Sequence, residues 1–514
     1  MASSVTAGRA QLLFILCLPL AILMGYLLSD PLDPGNTLMA ALMVGVLSIP
    51  LLMRWHHPML ILTWNAALAP FFLPGQAFAW MPLAFVGLGF AIVNRFTNTE
   101  ARIVSVPSLN RSLLFLLVVV MVTAYFRGGV GLRSLGSGTY GGRDYAYVLA
   151  AIVGYFALVS RRIPREHANF YVALFFLPGL TALVPNLAYF GGQAWYFLFS
   201  FFPPLYAYEQ AMGDYSVETQ ISRVFGLTVA SVALLCWLLA RYGLRGVVNW
   251  RKPWPMFLFL VALAGCVFCG FRSIVIIFLL VIAAQFWFEK LLKMRTVFIG
   301  LGALLLAGVL IAPAADRLPL VVQRSISFLP LKLDPMVQRS AAGSTDWRLS
   351  MWQELLPEIP KYLLVGKGYG IDPTELDFAQ WNNRRYGMGF SGAMAAGDYH
   401  SGPLSLIIPF GIWGVIGFVW FIAAALRYLY RQYRFGHPDL QKINTFFLGY
   451  FIVRLVFYIF IFGGFFSDLF LFTGLIALSV SLNGDILPQP AEAPAEPESK
   501  ELAYQEQLAS TRAS

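Results

Sequence analysis

Three side chains, Arg272, Arg348 and His400, could act together on an anionic substrate. An ionisable residue at the edge of a membrane helix is costly and is therefore a candidate for function. The planar guanidinium group of arginine matches phosphate oxygens, so two guanidiniums that converge would suit a pyrophosphate. Histidine titrates near neutral pH and can take a proton from an attacking hydroxyl. These residue types predict a pyrophosphate site with a general base beside it.

The sequence around each candidate also permits a plainer interpretation. Arg272 lies between two apolar runs with no acidic residue nearby in sequence. Arg348 follows Trp347 and precedes Trp352 by four positions, on or beside the apolar face of a predicted helix. His400 ends a long loop where the chain re-enters the membrane. The alternatives are snorkelling or a turn for Arg272, snorkelling with a cation–π contact for Arg348, and a capping or interfacial role for His400.

Several neighbouring residues are candidate supports for this site. Asp398 and Tyr399 directly precede His400, and Trp352 lies near Arg348. Asp468 is a lone carboxylate near the end of the last apolar run, where it could orient a base, cap a helix or pair with an arginine. The sequence contains no matched set of metal ligands, so we predict no metal site and no cofactor.

The composition indicates which elements must position these residues. Of 514 residues, 58% are hydrophobic and 12% are charged, with a mean hydropathy of +0.69. A soluble domain usually has about twice that charged fraction, which excludes a soluble enzyme and a disordered chain. The apolar runs are continuous rather than alternating, which argues against a β-barrel. The net charge of +10 lies mostly in short loops, where it sets orientation and does not indicate nucleic acid binding.

Apolar runs predict an all-α polytopic membrane protein with about 12–14 transmembrane helices. They lie near residues 12–28, 37–53, 58–73, 77–93, 112–126, 145–160, 168–190, 224–240, 254–270, 272–288, 297–314, 404–426, 443–462 and 467–482. The third and fourth runs flank Pro74-Gly75 and are short enough to pair as a re-entrant hairpin. Basic loops alternate with loops poor in Lys and Arg, so the positive-inside rule places both termini in the cytoplasm.

The chain is expected to fall into four parts. Residues 1–314 form N-terminal transmembrane helices, 315–403 a large non-cytoplasmic loop, 404–484 C-terminal transmembrane helices, and 485–514 a disordered cytoplasmic tail. Within the loop, residues 346–363 predict an amphipathic helix. Its apolar face would comprise Trp352, Leu355, Leu356, Ile359 and Leu363, at spacings of three and four.

Three patches within residues 265–420 resemble the bacterial O-antigen ligase and O-antigen polymerase superfamily of polytopic glycosyltransferases. They are Gly270-Phe271-Arg272-Ser273, then Arg348-x-x-x-Trp352 with Val365-Gly366-Lys367-Gly368-Tyr369-Gly370, and last His400-Ser401-x-x-Leu404 with Gly411-Ile412-Trp413-Gly414 and Gly417. Family members show an arginine and a tryptophan at this spacing, a short G-x-G, and a histidine after a long periplasmic loop. The chain departs from the family in having serine at 401, where asparagine is frequent.

The resemblance implies an enzyme of the bacterial inner membrane that needs no metal. It would transfer a glycan from an undecaprenyl-pyrophosphate carrier to a sugar of the lipid A core or of a growing polysaccharide at the periplasmic face. Arg272 and Arg348 would bind the pyrophosphate, and His400 would act on the acceptor hydroxyl. The implied partners are the donor, the acceptor and membrane lipids. The alternatives are a protein O-oligosaccharyltransferase, with a serine or threonine acceptor, and a lipid-linked sugar transporter or flippase, which should show broken helices and internal repeats.

Overall fold

The computed structural model describes residues 18–27, 33–97, 104–131, 140–215, 221–292, 312–374 and 391–484, with isolated positions between them. The predicted span 12–28 lies partly outside these residues, the span 297–314 mostly so, and the predicted tail 485–514 entirely. The described residues form helices and turns, with a single isolated β-bridge between Tyr140 and Ile371. The prediction of an all-α polytopic membrane protein is confirmed.

The helices follow one another along the chain with few long connections. They are α1 (Leu18–Leu27), α2 (Pro34–Trp64), α3 (Trp80–Thr97), α4 (Pro107–Arg127), α5 (Gly142–Val159), α6 (Ala168–Phe176), α7 (Leu183–Gly191), α8 (Leu205–Tyr215), α9 (Phe225–Val247), α10 (Pro253–Phe268), α11 (Arg272–Phe288), α12 (Leu320–Ser325), α13 (Pro335–Leu355), α14 (Ile359–Tyr362), α15 (Ser391–Ala395), α16 (Gly402–Phe435), α17 (Gln441–Phe460) and α18 (Phe465–Asn483). Seven helical stretches within the described residues are long and apolar enough to cross a membrane: α4, α5, α6 with α7, α9, and α16 to α18.

The centre of the bundle is built around Trp64, at the end of α2. Its ring stacks on Phe470 of α18, with centroids 5.1 Å apart and planes 10° apart. Gly154 of α5 and Gly474 of α18 face this ring, and a Cβ atom at either position would collide with it. Small residues let membrane helices approach closely where a large side chain must fit between them. The two glycines therefore allow α5 and α18 to pack around one buried indole.

Hydrogen bonds between helix ends define one end of the bundle, here called the loop end because residues 312–374 and 391–401 lie there. The backbone N–H of Val224 donates to the carbonyl of Cys269 (3.1 Å), which joins the start of α9 to the end of α10. The hydroxyl of Tyr458 donates to the carbonyl of Gly402 (2.7 Å), which joins the end of α17 to the start of α16. The first of these bonds satisfies a carbonyl at the C-terminal end of α10 that the helix cannot pair internally.

Helix α16 is broken at Pro409–Gly411, where Gly411 has φ +61°. Proline interrupts the helical hydrogen bonds, and glycine accepts the left-handed conformation that follows. The freed carbonyls of Ile408 and Pro409 accept hydrogen bonds from the backbone of Lys367 (2.7 Å) and Gly368 (2.9 Å). The short glycine motif, Gly366-Lys367-Gly368, thus joins the large loop to the broken helix through two backbone hydrogen bonds.

The predicted amphipathic helix is real, but its bounds and its buried face differ from the expectation. Helix α13 begins at Pro335, where Asp334 caps it through the Met336 N–H (2.7 Å), and it ends at Leu355. Pro357 then imposes a 3-10 turn, because proline cannot donate the next helical bond. Its buried residues are Val337, Ala341, Met351 and Leu355. Of the predicted face, Leu355 is buried, Trp352 and Ile359 are half-buried, and Leu356 and Leu363 are exposed.

The second predicted span and the first part of the third form a single helix, α2, which ends at Trp64, so the predicted break between them is wrong. His56 and His57 interrupt the apolar sequence between these spans, yet both side chains are buried in the bundle. The imidazole Nε2 of His57 lies 2.8 Å from the carbonyl of Leu158, which satisfies a polar group at this depth. The predicted re-entrant hairpin is replaced by an irregular segment, 65–79, between α2 and α3. The side of the membrane on which the N-terminus lies remains a prediction.

Candidate functional site

Arg272, Arg348 and His400 lie at the loop end of the bundle. Arg272 is the first residue of α11, Arg348 is on α13, and His400 lies two residues before α16. Phe462, in the turn between α17 and α18, contacts two of them. The guanidinium carbon of Arg348 is 5.7 Å from the centre of its ring, and the His400 ring is 5.1 Å from it. Arg348 and His400, from distant parts of the sequence, therefore meet at one aromatic side chain.

Arg272 is attached to the helix that carries Arg348. Its Nη2 donates to the carbonyl of Ala341 (3.1 Å), to the hydroxyl of Ser344 (2.8 Å) and to that of Thr345 (3.4 Å). All three acceptors are neutral, so these bonds orient the guanidinium without cancelling its charge. Burial, followed by the charge of Arg272, lowers the pKa of Arg348. The two arginines are thus close enough to repel each other.

Two arginines that were not predicted for the site, Arg223 and Arg324, join this pair. Arg324, on the short helix α12, is 6% exposed and donates to the hydroxyl of Ser340 (2.6 Å). Burial and the charges of Arg223, Arg272 and Arg348 lower the pKa of Arg324 to about 10. It remains protonated at neutral pH. We call Arg223, Arg272, Arg324 and Arg348 the guanidinium cluster.

One carboxylate lies against the guanidinium cluster. Glu209 of α8 pairs with Arg223 at 2.5 Å, and Arg223 also lies over the ring of Phe271 (5.3 Å). Among the residues that the structure describes, the other three arginines have no carboxylate partner. Four guanidiniums against one carboxylate leave an excess of three positive charges in a partly buried site. Such an arrangement is costly unless an anion is bound there.

His400 adopts a strained backbone conformation. Its φ of +49° lies in the left-handed region, which a non-glycine residue adopts only when its surroundings require it. Trp347 packs edge-on against the imidazole, with ring centres 5.1 Å apart. Strain of this kind is concentrated at functional sites, and here it fixes the direction of the imidazole.

The electrostatic surroundings keep the His400 imidazole neutral. Its Nδ1 is buried without a hydrogen-bond partner among the described residues and lies 3.7 Å from a carboxylate oxygen of Asp398. Burial lowers the pKa of His400 below 6.5 and the charge of Arg348 lowers it further, while Asp398 and Glu209 raise it. The ring is therefore unprotonated at neutral pH and can accept a proton.

A hydrogen bond joins Trp352 of α13 to Tyr399, the residue before His400. The indole Nε1 of Trp352 donates to the carbonyl of Tyr399 (2.9 Å), and the Tyr399 side chain is buried. This bond links the helix of Arg348 to the backbone next to His400. The predicted supports Trp352, Tyr399 and Asp398 are therefore part of the same structural unit as His400.

Asp468 pairs with Arg454 and not with His400. One of its carboxylate oxygens lies 2.5 Å from Nη2 of Arg454, and the other accepts the N–H of Gly464 (3.0 Å). Both residues are buried between α17 and α18. A buried carboxylate needs such partners, and these occupy both oxygens. Asp468 therefore pairs with Arg454 and caps the start of α18, and neither of its oxygens is left to orient His400.

The sequence contained a weak signal for one missed residue. Arg223 was among the few basic residues on the side that the positive-inside rule leaves poor in arginine. Such exceptions are candidates for ligand binding. Arg324 and Glu209 had no signal of their own, because their importance comes from residues on other helices that the fold brings close to them.

No protein-family model and no curated protein matches this chain. The resemblance carried by residues 265–420 therefore remains a prediction. Among the described residues, no group of three or more His, Cys, Asp or Glu side chains could hold a metal ion. The function must be argued from the guanidinium cluster and His400.

Proposed function

We propose that this protein transfers a glycan from an undecaprenyl-pyrophosphate carrier to an acceptor hydroxyl at the loop end of the bundle. The observation that carries the proposal is the guanidinium cluster, with three excess positive charges, next to a neutral, half-buried His400. An anion-binding group and a base close to each other are what a displacement at a glycosyl pyrophosphate requires.

The charge of the cluster suits the leaving group better than the donor. A pyrophosphate that links a lipid to a sugar carries about two negative charges, and the released lipid pyrophosphate carries about three at neutral pH. Three excess guanidiniums therefore favour the state in which the sugar–phosphate bond has broken. Binding that strengthens as charge develops lowers the barrier of the reaction.

His400 supplies the other half of the displacement. A nitrogen of its imidazole takes the proton from the acceptor hydroxyl while the acceptor oxygen bonds to the anomeric carbon of the sugar. The bond from that carbon to the phosphate oxygen breaks, and its electron pair passes to the pyrophosphate. Because the lipid pyrophosphate is already a good leaving group, the reaction does not need a strong acid. This chemistry is compatible with a sugar, a polysaccharide or a protein hydroxyl as acceptor.

The break in α16 is the feature that would favour a transporter, since broken helices hold substrates in many transporters. Its freed carbonyls, however, accept hydrogen bonds from Lys367 and Gly368 of the same chain. The break thus serves to dock the loop, which supports a fixed site over alternating access. A transporter would move a carrier-linked sugar without releasing lipid pyrophosphate, so product analysis separates the two functions.

The pH dependence of transfer should have an acidic limb below pH 6.5. His400 must be unprotonated, and burial lowers its pKa, so activity is lost only as the pH falls through that lowered value. Asp398 raises the pKa of His400, and Asp398→Asn should move the limb to still lower pH. Initial rates between pH 4.5 and 8 measure both effects. An upward shift in Asp398→Asn would contradict the assignment of the base, and Asp439→Asn, beside His437, serves as the control.

Arg324→Gln should lower the rate of transfer on the order of 10- to 100-fold, because one of the three excess charges is lost. Inhibition by added lipid pyrophosphate should weaken in the same variant. Arg317→Gln, an exposed arginine seven positions earlier in the same loop, is the matched control. Normal turnover of Arg324→Gln with unchanged product inhibition would remove Arg324 from the site.

A further inference from the structure

A second basic site lies at the end of the bundle opposite the loop end. It is a cavity of about 640 Å³ bounded by α2, the end of α3 and the turn that follows α5. Four arginines line it, namely Arg54, Arg95, Arg161 and Arg162. Among the described residues that form its wall, none is an aspartate or a glutamate. We call it the basic cavity.

A second cavity on the same side of the bundle combines basic residues with a carboxylate, and we call it the mixed cavity. It has a volume of about 710 Å³ and is lined by Arg245, Lys290, Arg434, Lys442 and Glu289, among others. The Glu289 carboxylate accepts the backbone N–H groups of Leu244 (2.6 Å) and Arg245 (3.3 Å). This cavity therefore contains its own fixed negative charge.

The basic cavity differs because its described lining contains no such carboxylate. Within the described ranges, no carboxylate pairs with Arg54, Arg161 or Arg162. Several guanidiniums around a concave space of this size attract a phosphate-sized anion from outside the chain. Positive-inside topology explains why arginines lie on this side of the membrane, but not why they surround a cavity.

The rim of the basic cavity indicates what kind of anion fits. Met53, Trp55 and Val93 border it and are 56%, 48% and 49% exposed. Tryptophan is typical of the boundary between lipid headgroups and acyl chains. A basic interior with an apolar rim favours an amphiphile with an anionic head over a soluble phosphate.

We infer that the basic cavity binds the phosphate headgroup of an anionic phospholipid, whose acyl chains lie along Met53, Trp55 and Val93. Arg54, Arg161 and Arg162 contact the phosphate. This site is separate from the guanidinium cluster, and the inference does not depend on the proposed function.

Native mass spectrometry of the purified full-length protein tests the inference with phosphatidylglycerol as the probe. Wild-type protein should retain phosphatidylglycerol in preference to zwitterionic phosphatidylcholine. The triple variant Arg54→Gln, Arg161→Gln, Arg162→Gln should bind it on the order of 100-fold more weakly, because three contacts to the phosphate are lost. The matched control is Arg245→Gln, Arg434→Gln, Lys442→Gln in the mixed cavity, which should bind as the wild type does.

Two further measurements keep the test decisive if the triple variant is unstable. Binding of phosphatidylglycerol to the wild type should weaken as salt is raised from low to high ionic strength. Inorganic phosphate at millimolar concentration should not displace the lipid, because it cannot use the apolar rim. Equal lipid binding by both triple variants, salt-independent binding, or full displacement by inorganic phosphate would each overturn the inference.

Discussion

Replacing His400 with asparagine should lower glycan transfer by about 100- to 10,000-fold, which is the range for loss of a positioned general base. Asparagine tolerates the left-handed backbone of this position, where φ is +49°, better than alanine does. The variant should therefore fold and insert normally while lacking a nitrogen that can accept the acceptor's proton. Purified protein, carrier-linked oligosaccharide and a hydroxyl acceptor suffice for the assay, with released lipid pyrophosphate as the readout.

The controls separate chemistry from folding. His437→Asn changes an exposed histidine that caps the turn before α17, a role that asparagine can fill, and it should leave the rate unchanged. His400→Ala should be as inactive as His400→Asn but less stable, because alanine does not relieve the backbone strain. Near wild-type transfer by His400→Asn would remove histidine from the mechanism, whereas carrier movement without pyrophosphate release would identify a transporter.

Arg348→Lys should lower the rate by about 100-fold even though the charge is kept. The Arg348 guanidinium lies 5.7 Å from the Phe462 ring and beside Arg272, a position from which a planar fork can hold two oxygens of one pyrophosphate. Lysine offers a point charge, more strongly hydrated, and cannot make the same forked contact. Steady-state assays at saturating acceptor should show the loss mainly in kcat, because the contact strengthens as the leaving group forms.

Arg339→Lys is the matched control for Arg348→Lys. Arg339 lies on the same helix, is exposed, and donates to the carbonyl of Pro335 within its own helix (3.4 Å). Its replacement tests whether α13 tolerates an arginine-to-lysine change as such. A rate for Arg348→Lys equal to that of Arg339→Lys would mean that position 348 contributes charge screening and no forked contact.

Hydropathy predicted most helices but misplaced boundaries where polar residues are buried. The run of α2 was divided at His56 and His57, whereas in the structure both rings are covered by other helices and His57 bonds to the carbonyl of Leu158. Apolar content reports how well a segment tolerates lipid. It does not report where the helical hydrogen bonds stop, which depends on partners elsewhere in the chain.

The candidate site was predicted in outline because three of its residues are unusual in their local context. An arginine opening an apolar helix, an arginine on an apolar helix face and a histidine at a membrane re-entry point can each be recognised from a few neighbours. Arg324 has no such context. It belongs to the site because α12 packs against α10, α11 and α13, which places its guanidinium near those of Arg223 and Arg272.

The all-α membrane fold and the side chains costly enough to be candidates can be recognised from the sequence alone, because hydrophobicity and charge are local properties of residues. Only the three-dimensional arrangement shows that four guanidiniums face one carboxylate, that a half-buried His400 lies beside Asp398, and which of the alternatives for Asp468 holds, namely the ion pair with Arg454. Those pairings join residues from separate helices. Their electrostatics depend on distances of a few ångströms, which spacing along the chain does not encode.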